Sequence, residues 1–442
     1  MPEATFHFPA GFLWGTATAA HQVEGNNLNN NWSAWEAEPG RIIFGQKSGL
    51  ACDWWGGRWK EDLDRAAEAG QNAHRLSVEW SRIQPRPNRW DENALDYYRQ
   101  MVRGAVERGL TPMVTLHHFT DPLWITEKGG WENEETIQAF STFSRKVVDA
   151  LKEYVTLWVT INEPNVYAYS GYLEGVFPPG KHDFNTTLRV YTNLVKGHAA
   201  AYQAIHGAQP QARVGIAAHY RGFVPARSWF PGDAAAANIQ HTLFNQFFPR
   251  SLMDGTLNFL TRREKLPQAA RTQDFLGINY YTRDRVKFNL FAAGKGFGRN
   301  EYASDAELSG TGYLANEPLG MFDVLKWGLQ FQVPMIVTEN GVEDADDRMR
   351  PRYLVQHLHQ VWRAVNFNWP VRGYFHWSLL DNFEWERGWT QRFGLWGLEP
   401  ETQLRRKRSS ADLYAEICRE NGISSDTVRR FTPELMPMLF PG

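Results

Sequence analysis

A chain of 442 residues is long enough for about three average domains, or for one elaborated α/β barrel. Lys plus Arg number 47 against 49 Asp plus Glu, a net charge of −2, so no single-sign field points to nucleic acid or an anionic membrane as partner. A composition of 43% hydrophobic and 22% charged residues excludes disorder, and 19 Trp, 16 Tyr and 27 Phe supply more flat apolar surface with polar edges than a core ordinarily uses.

Eight short β-type runs follow one another along the chain: 12–17, 74–78, 112–116, 157–161, 213–217, 275–278, 335–338 and 371–376. Helical patterns separate several of them. Lys60 to Ala69 reads as a helix closed by Gly70. Asp91 is a natural N-cap for a helix with Leu95, Tyr98, Val102 and Val106 on one face, and Gly109 suits its C′ position. Asn133 likewise precedes a face of Ile137, Phe140, Val147 and Leu151. Alternation of this kind predicts an α/β fold, a single (β/α)8 TIM barrel over residues 1–442. Long irregular stretches are expected at about 22–57, 164–190, 281–320 and 378–408, after strands, so the elaboration falls on the face where barrels carry their sites.

Cys52 and Cys418 are the only cysteines and read as two separate buried thiols. No apolar run reaches the roughly 18 residues of a membrane span, and the start MPEATFHF has neither a basic n-region nor an apolar h-region. A cytoplasmic enzyme is the expectation. Gly294-Lys295-Gly296-Phe297-Gly298 lacks the spacing of a nucleotide loop, and Arg405 to Arg408 reads as a solvated basic face. His357-x-His359 and His117-His118 lack a third ligand at sensible spacing, so neither metal nor cofactor is inferred.

Polar residues sit just past the runs: Gln22, Glu79, His117 and His118, Asn162-Glu163, His219, Asn279 and Tyr281, Glu339-Asn340, and Trp377. In a barrel they would ring one end. Thr160-Ile-Asn-Glu-Pro164 and Val337-Thr-Glu-Asn-Gly341 each put a carboxylate at the end of an apolar strand. Two opposed carboxyls in a cleft suit glycosidic cleavage. One, protonated, assists the leaving oxygen; the other, ionised, meets the positive charge developing at the anomeric carbon.

On these two motifs the sequence resembles glycoside hydrolase family 1, the β-glucosidase family. The likeness runs nearly end to end, through 12–25, Arg75-Leu-Ser-Val-Glu-Trp-Ser-Arg-Ile83, His117-His-Phe-Thr-Asp-Pro-Leu-Trp124, 373–385 and Arg392-Phe-Gly-Leu395. It implies a retaining exo-β-glycosidase acting on β-glucosides, and on β-galactosides and β-fucosides by extension, with small β-glycosides or oligosaccharides as partners. Glu163 would be the acid and then base, and Glu339 the nucleophile. Arg75, Asn279 and Tyr281 match the residues around the nucleophile. Gln22, His118, Asn162 and Glu384 match the ligands of the sugar hydroxyls, and Trp377, Trp385 and Phe393 its aromatic platform. A carboxylate at Glu384 would repel phosphate and so opposes the alternative of a 6-phospho-β-glycosidase; transglycosylation would use the same two carboxyls. Phe119 and Tyr313 stand where the family often carries Trp, which marks them as candidates for the aglycone site.

Overall fold

The computed structural model describes residues 4–259 and 262–441; the first three residues of the MPEATFHF start lie outside them. Eight strands form the centre: β1 Leu13–Ala17, β2 Ala73–Ser77, β3 Thr111–His117, β4 Leu157–Asn162, β5 Arg213–Pro225, β6 Phe275–Phe288, β7 Met335–Asn340 and β8 Val371–His376. Each pairs in parallel with the next, and β8 returns to β1. The sheet is therefore a closed eight-stranded parallel barrel. Its strands read as unbroken apolar runs because both faces are covered, as in β4, where every residue is buried.

Around it lie α1 Trp59–Glu68, α2 Glu92–Glu107, α3 Glu135–Leu151, α4 Pro164–Tyr172, α5 Phe184–Ala208, α6 Pro231–His241, α7 Phe247–Asp254, α8 Pro318–Gly328, α9 Arg350–Asn366 and α10 Ser409–Glu420. Asp91 caps α2 by accepting from the Ala94 amide at 3.0 Å, and Gly109 takes the left-handed conformation just after it (φ +77°). Leu95, Tyr98 and Val102 are buried beneath that helix. Val106 departs from the expected face: it belongs to the last turn, where the chain bends back, and is exposed.

Three expectations need correction. β5 and β6 do not stop at residues 217 and 278, because they stay paired beyond the barrel rim (Tyr220 with Tyr280, Phe223 with Asp284, Pro225 with Val286), and residues 298–301 add an antiparallel strand to β6. The four stretches expected to be irregular hold structure of their own. A helix spans Asn31–Ala37, α4 and the start of α5 fall within 164–190, the outer half of β6 and the strand Gly298–Glu301 within 281–320, and the hairpin Trp396–Glu399 with Leu404–Lys407 within 378–408. Nor is the basic run a solvated face. Arg405 reaches inward to Asp62 at 3.0 Å with both side chains buried, and Arg408 grips both oxygens of Asp381 at 2.8 Å, while Arg406 and Lys407 point out. Arg405 and Arg406, neighbours on the strand Leu404–Lys407, face opposite ways as twofold alternation requires, and Arg408 turns inward just past the strand's end. Cys52 and Cys418 are both buried free thiols.

Candidate active site

The barrel interior brings Arg75 to the ends of four strands. Rooted in β2, its guanidinium donates to Thr115 Oγ1 on β3 (3.1 Å), Asn162 Oδ1 on β4 (2.6 Å), and the Thr338 carbonyl and Glu339 Oε1 on β7 (3.2 and 2.5 Å). Only a side chain aimed along the barrel axis can touch all of these. Asn279 and Tyr281, two apart on β6 and so on one face, extend the set. The Tyr281 hydroxyl donates to Glu339 Oε2 at 2.5 Å. Asn279 Nδ2 donates to Glu163 Oε1 at 2.8 Å and to Asn162 Oδ1 at 3.2 Å. The two motif carboxyls are thus tied into one hydrogen-bond network, through Arg75, Asn162 and Asn279.

Glu163 occupies the turn between β4 and α4, with φ +43° and Pro164 opening the helix. A left-handed glutamate is uncommon, and the positive φ of Phe119 (+69°) and Trp385 (+48°) places two more such residues at the same cleft. Glu339 lies within β7. Gly341 follows because a Cβ there would sit 1.9 Å from the Trp377 carbonyl, so only glycine lets the ends of β7 and β8 come together.

Burial raises the Glu339 carboxyl to about 7; the Arg75 guanidinium opposes this, Glu163 adds to it, and the Tyr281 hydrogen bond again opposes it. Burial, then Glu339, holds the Tyr281 phenol well above its ordinary value, so it remains a donor. Glu384 is raised to about 8 by burial, then by Glu386, Glu339 and Glu163. Burial and its acidic neighbours thus favour its neutral form, which can donate as well as accept. His118 is held neutral by burial, then by Arg75. Its Nε2 faces the Asn162 amide donor at 3.0 Å, which assigns the hydrogen to Nδ1, and that atom has no partner among the described residues.

His118, Phe119, Asn162, Glu163, Tyr281, Tyr313, Glu339, Trp377, Glu384, Trp385 and Phe393 line one cleft of about 1040 Å³. Trp385 stacks on His118 (5.8 Å between ring centres), which also stacks on Trp377 (6.1 Å), and Phe393 stands edge-on to Tyr281. Arg75, Asn279 and Gln22 stand one layer behind. Gln22 Nε2 donates to Asn382 Oδ1 (2.9 Å), the Phe383 carbonyl (2.8 Å) and Glu384 Oε2 (3.2 Å). Phe119 packs behind the platform, its ring centre 4.9 Å from that of Trp385, whereas Tyr313 is partly exposed under the Arg387 guanidinium.

Other strand-end residues serve the scaffold. Glu79 accepts from Ser81 and Thr120, His117 bonds Asp121 at 3.0 Å, and Asn340 donates to the Tyr280 carbonyl and the Tyr353 hydroxyl. His219 is the residue whose place at the site the sequence reading did not assign: its Nδ1 lies 3.0 Å from Glu163 Oε1, the oxygen Asn279 also contacts. Its position at a strand end was the available signal.

Residues 4–423 match the profile of glycosyl hydrolase family 1. The chain is 32% identical to β-glucosidase A of Thermotoga maritima, with 94% of this chain and 98% of the relative covered. It is also 32% identical to a β-galactosidase of Sulfolobus acidocaldarius, covering 95% and 96%. A solved β-glycosidase from Pyrococcus horikoshii superposes with a TM-score of 0.89 at 36% identity, covering 97% of this chain and 98% of that one.

Proposed function

The chain belongs to glycosyl hydrolase family 1 and is a glycoside hydrolase of the β-glucosidase type, and from that premise we propose that it is a retaining, exo-acting β-glycosidase working through a covalent glycosyl-enzyme on Glu339. The observation that carries this reading is the shared network of Glu163 and Glu339, in which the second carboxyl meets a guanidinium and a phenol at 2.5 Å. In the first step Glu339 attacks the anomeric carbon while Glu163 gives its proton to the departing oxygen. In the second, Glu163 takes a proton from water as that water attacks the same carbon and releases Glu339. Asn279 and His219 both address Oε1 of Glu163, which leaves Oε2 to carry the transferred proton. Asn162 would hold the sugar 2-hydroxyl, and Gln22, His118 and Glu384 the remaining hydroxyls, against a platform of Trp377, Trp385 and Phe393.

β-Glucosides are the proposed substrates, with β-galactosides and β-fucosides accepted. A 6-phosphate is disfavoured, because the sugar end gathers Glu163, Glu339, Glu384 and Glu386 around one pocket. Buried unpaired thiols suit a reducing compartment, so the cytoplasm is the proposed location, to be checked by cell fractionation; among the described residues no helix is long and apolar enough to cross a membrane.

A panel of aryl β-glycosides tests the assignment. Glu339→Ala should abolish hydrolysis, and added azide should restore turnover as the α-glycosyl azide. Glu163→Ala should lose about 10²- to 10⁴-fold on poor leaving groups and far less on activated aryl glucosides, with His219→Phe a weaker version of the same pattern. Equal loss on both kinds of leaving group would remove Glu163 from the acid role.

A further inference from the structure

The turn 384–389 carries two of the residues assigned to the sugar, Glu384 and Trp385. Trp385 takes φ +48° there, a backbone state that persists only where surrounding contacts impose it. Within the turn the Glu384 amide donates to the Gly388 carbonyl at 2.7 Å, and the Arg387 amide to the Glu384 carbonyl at 2.8 Å. These bonds close the turn on itself, and its outer end is anchored from a distant part of the chain. The Trp389 amide donates to Gln46 Oε1 at 2.6 Å, and the Trp389 indole Nε1 to the Lys47 carbonyl at 3.0 Å. Gly388 permits this approach, because its φ of +57° suits glycine and a Cβ there would collide with Gln46 Oε1.

Residues 46–48 are themselves braced. Ser48 donates through its amide to Glu36 Oε2 and through its hydroxyl to Glu36 Oε1, both at 2.8 Å, and both residues are buried. Glu36 belongs to the helix Asn31–Ala37, whose Trp32 packs against Trp385 with ring centres 4.7 Å apart. Segment 31–48 therefore holds the sugar-binding turn at two points, Trp32 against the platform ring and Gln46 at the outer end. Gln46 itself is not part of the cleft lining. The groups that bond Glu163 and Glu339 are Arg75, Asn279, Tyr281 and His219, so the clamp can act on sugar binding without touching the reacting carboxyls.

We propose that Gln46 is a positioning residue for the sugar: through the Trp389 amide it sets where Glu384 and Trp385 meet the ring, and with that the affinity and the choice among β-glucoside, β-galactoside and β-fucoside. The inference rests on the β-glycosidase reading above. Gln46→Ala should raise KM for p-nitrophenyl β-glucoside by about five- to tenfold, and the inhibition constant of glucose, which occupies the sugar end alone, by the same factor, while kcat changes less than about twofold. The kcat/KM ratios among the three p-nitrophenyl glycosides should shift by about threefold or more. Gln46→Glu keeps an acceptor oxygen and should bring KM and the glucose constant back to within about twofold of the parent. The pH limbs and the leaving-group dependence, set by Glu163 and Glu339, should stay in place. An unchanged KM and glucose constant in Gln46→Ala would overturn the proposal, even with a lowered urea midpoint, since the contact would then serve folding alone. A loss confined to kcat, or a Gln46→Glu no better than Gln46→Ala, would overturn it too. If Gln46→Ala does not fold, Ser48→Ala, which loosens the same loop, should show the same pattern at about two- to threefold, and parent-like constants there would overturn the proposal. A parent enzyme that cleaves none of the p-nitrophenyl glycosides would instead overturn the proposed function.

Discussion

At the scale of single residues, the site is a balance between burial and counter-charge. Glu339 must be ionised to attack, yet burial lifts it to about 7, and the Arg75 guanidinium is the largest opposing influence. Removing that cation with Arg75→Gln should lift Glu339 further. The nucleophile would then ionise only at higher pH, so the acid limb of the kcat/KM profile should move upward, with a loss of about 10²-fold or more at the optimum. Arg75→Lys keeps the charge and should return the limb part of the way; a limb that stays in place in both variants would mean that Arg75 only scaffolds. Glu384 shows how the structure changes an argument made from sequence. As a carboxylate it was expected to repel phosphate directly, whereas burial and three other carboxyls raise it to about 8, which weakens the repulsion from Glu384 taken alone. What opposes a phosphate is the acidic surround as a whole. The carboxyls themselves were legible, because each ends an apolar run and precedes a helix- or strand-breaking residue. The contact of His219 with Glu163 was not, since it joins residues 56 apart in the chain and depends on how far β5 continues past the rim.

At the scale of elements, the strands were legible where both faces are buried and illegible where they are not. β7 and β8 read as apolar runs because barrel and helices cover them. The outer halves of β5 and β6 carry Arg221, Arg283, Asp284 and Arg285, which hide a strand from any reading based on apolar content; what holds them is mutual pairing and ion pairs such as Arg221 with Asp284. The Arg405 to Arg408 run was misread for the related reason that a charge run and an alternating strand look alike until the partners Asp62 and Asp381 are known. Close approach of elements yields a prediction of its own. Gly341→Ala would force its new methyl group against the Trp377 carbonyl, a backbone atom that cannot yield cheaply. The end of β8 should shift and carry Trp377 away from the sugar face. A displacement near 1 Å should lower kcat/KM by about 10²-fold, with KM for the sugar rising. Unchanged kinetics would show that the strand ends tolerate separation.

At the scale of the whole molecule, the two ends of the chain complete the barrel. β8 pairs with β1, residues 5–7 pair with 422–424, Arg408 grips Asp381, and the Tyr414 hydroxyl of α10 donates to the Gly15 carbonyl of β1 at 2.7 Å. If residues 1–442 form one catalytic domain, opening any of these seams should open all of them together. The two thiols are placed to report it. Cys52 lies between β1 and α1 with its sulfur 3.5 Å from the Asp381 carbonyl, and Cys418 lies in the last turn of α10. Burial is the main reason both thiols are raised above the ordinary cysteine range, so in the folded protein neither is exposed nor ionised enough to react. With an aromatic disulfide reagent, the native enzyme should titrate no thiol and the urea-unfolded chain should titrate two. Across a urea series, both should become reactive in one transition that coincides with loss of β-glucoside hydrolysis. Release of one thiol before the other, with activity following only one of them, would divide the chain into separately stable parts and overturn the single-domain reading.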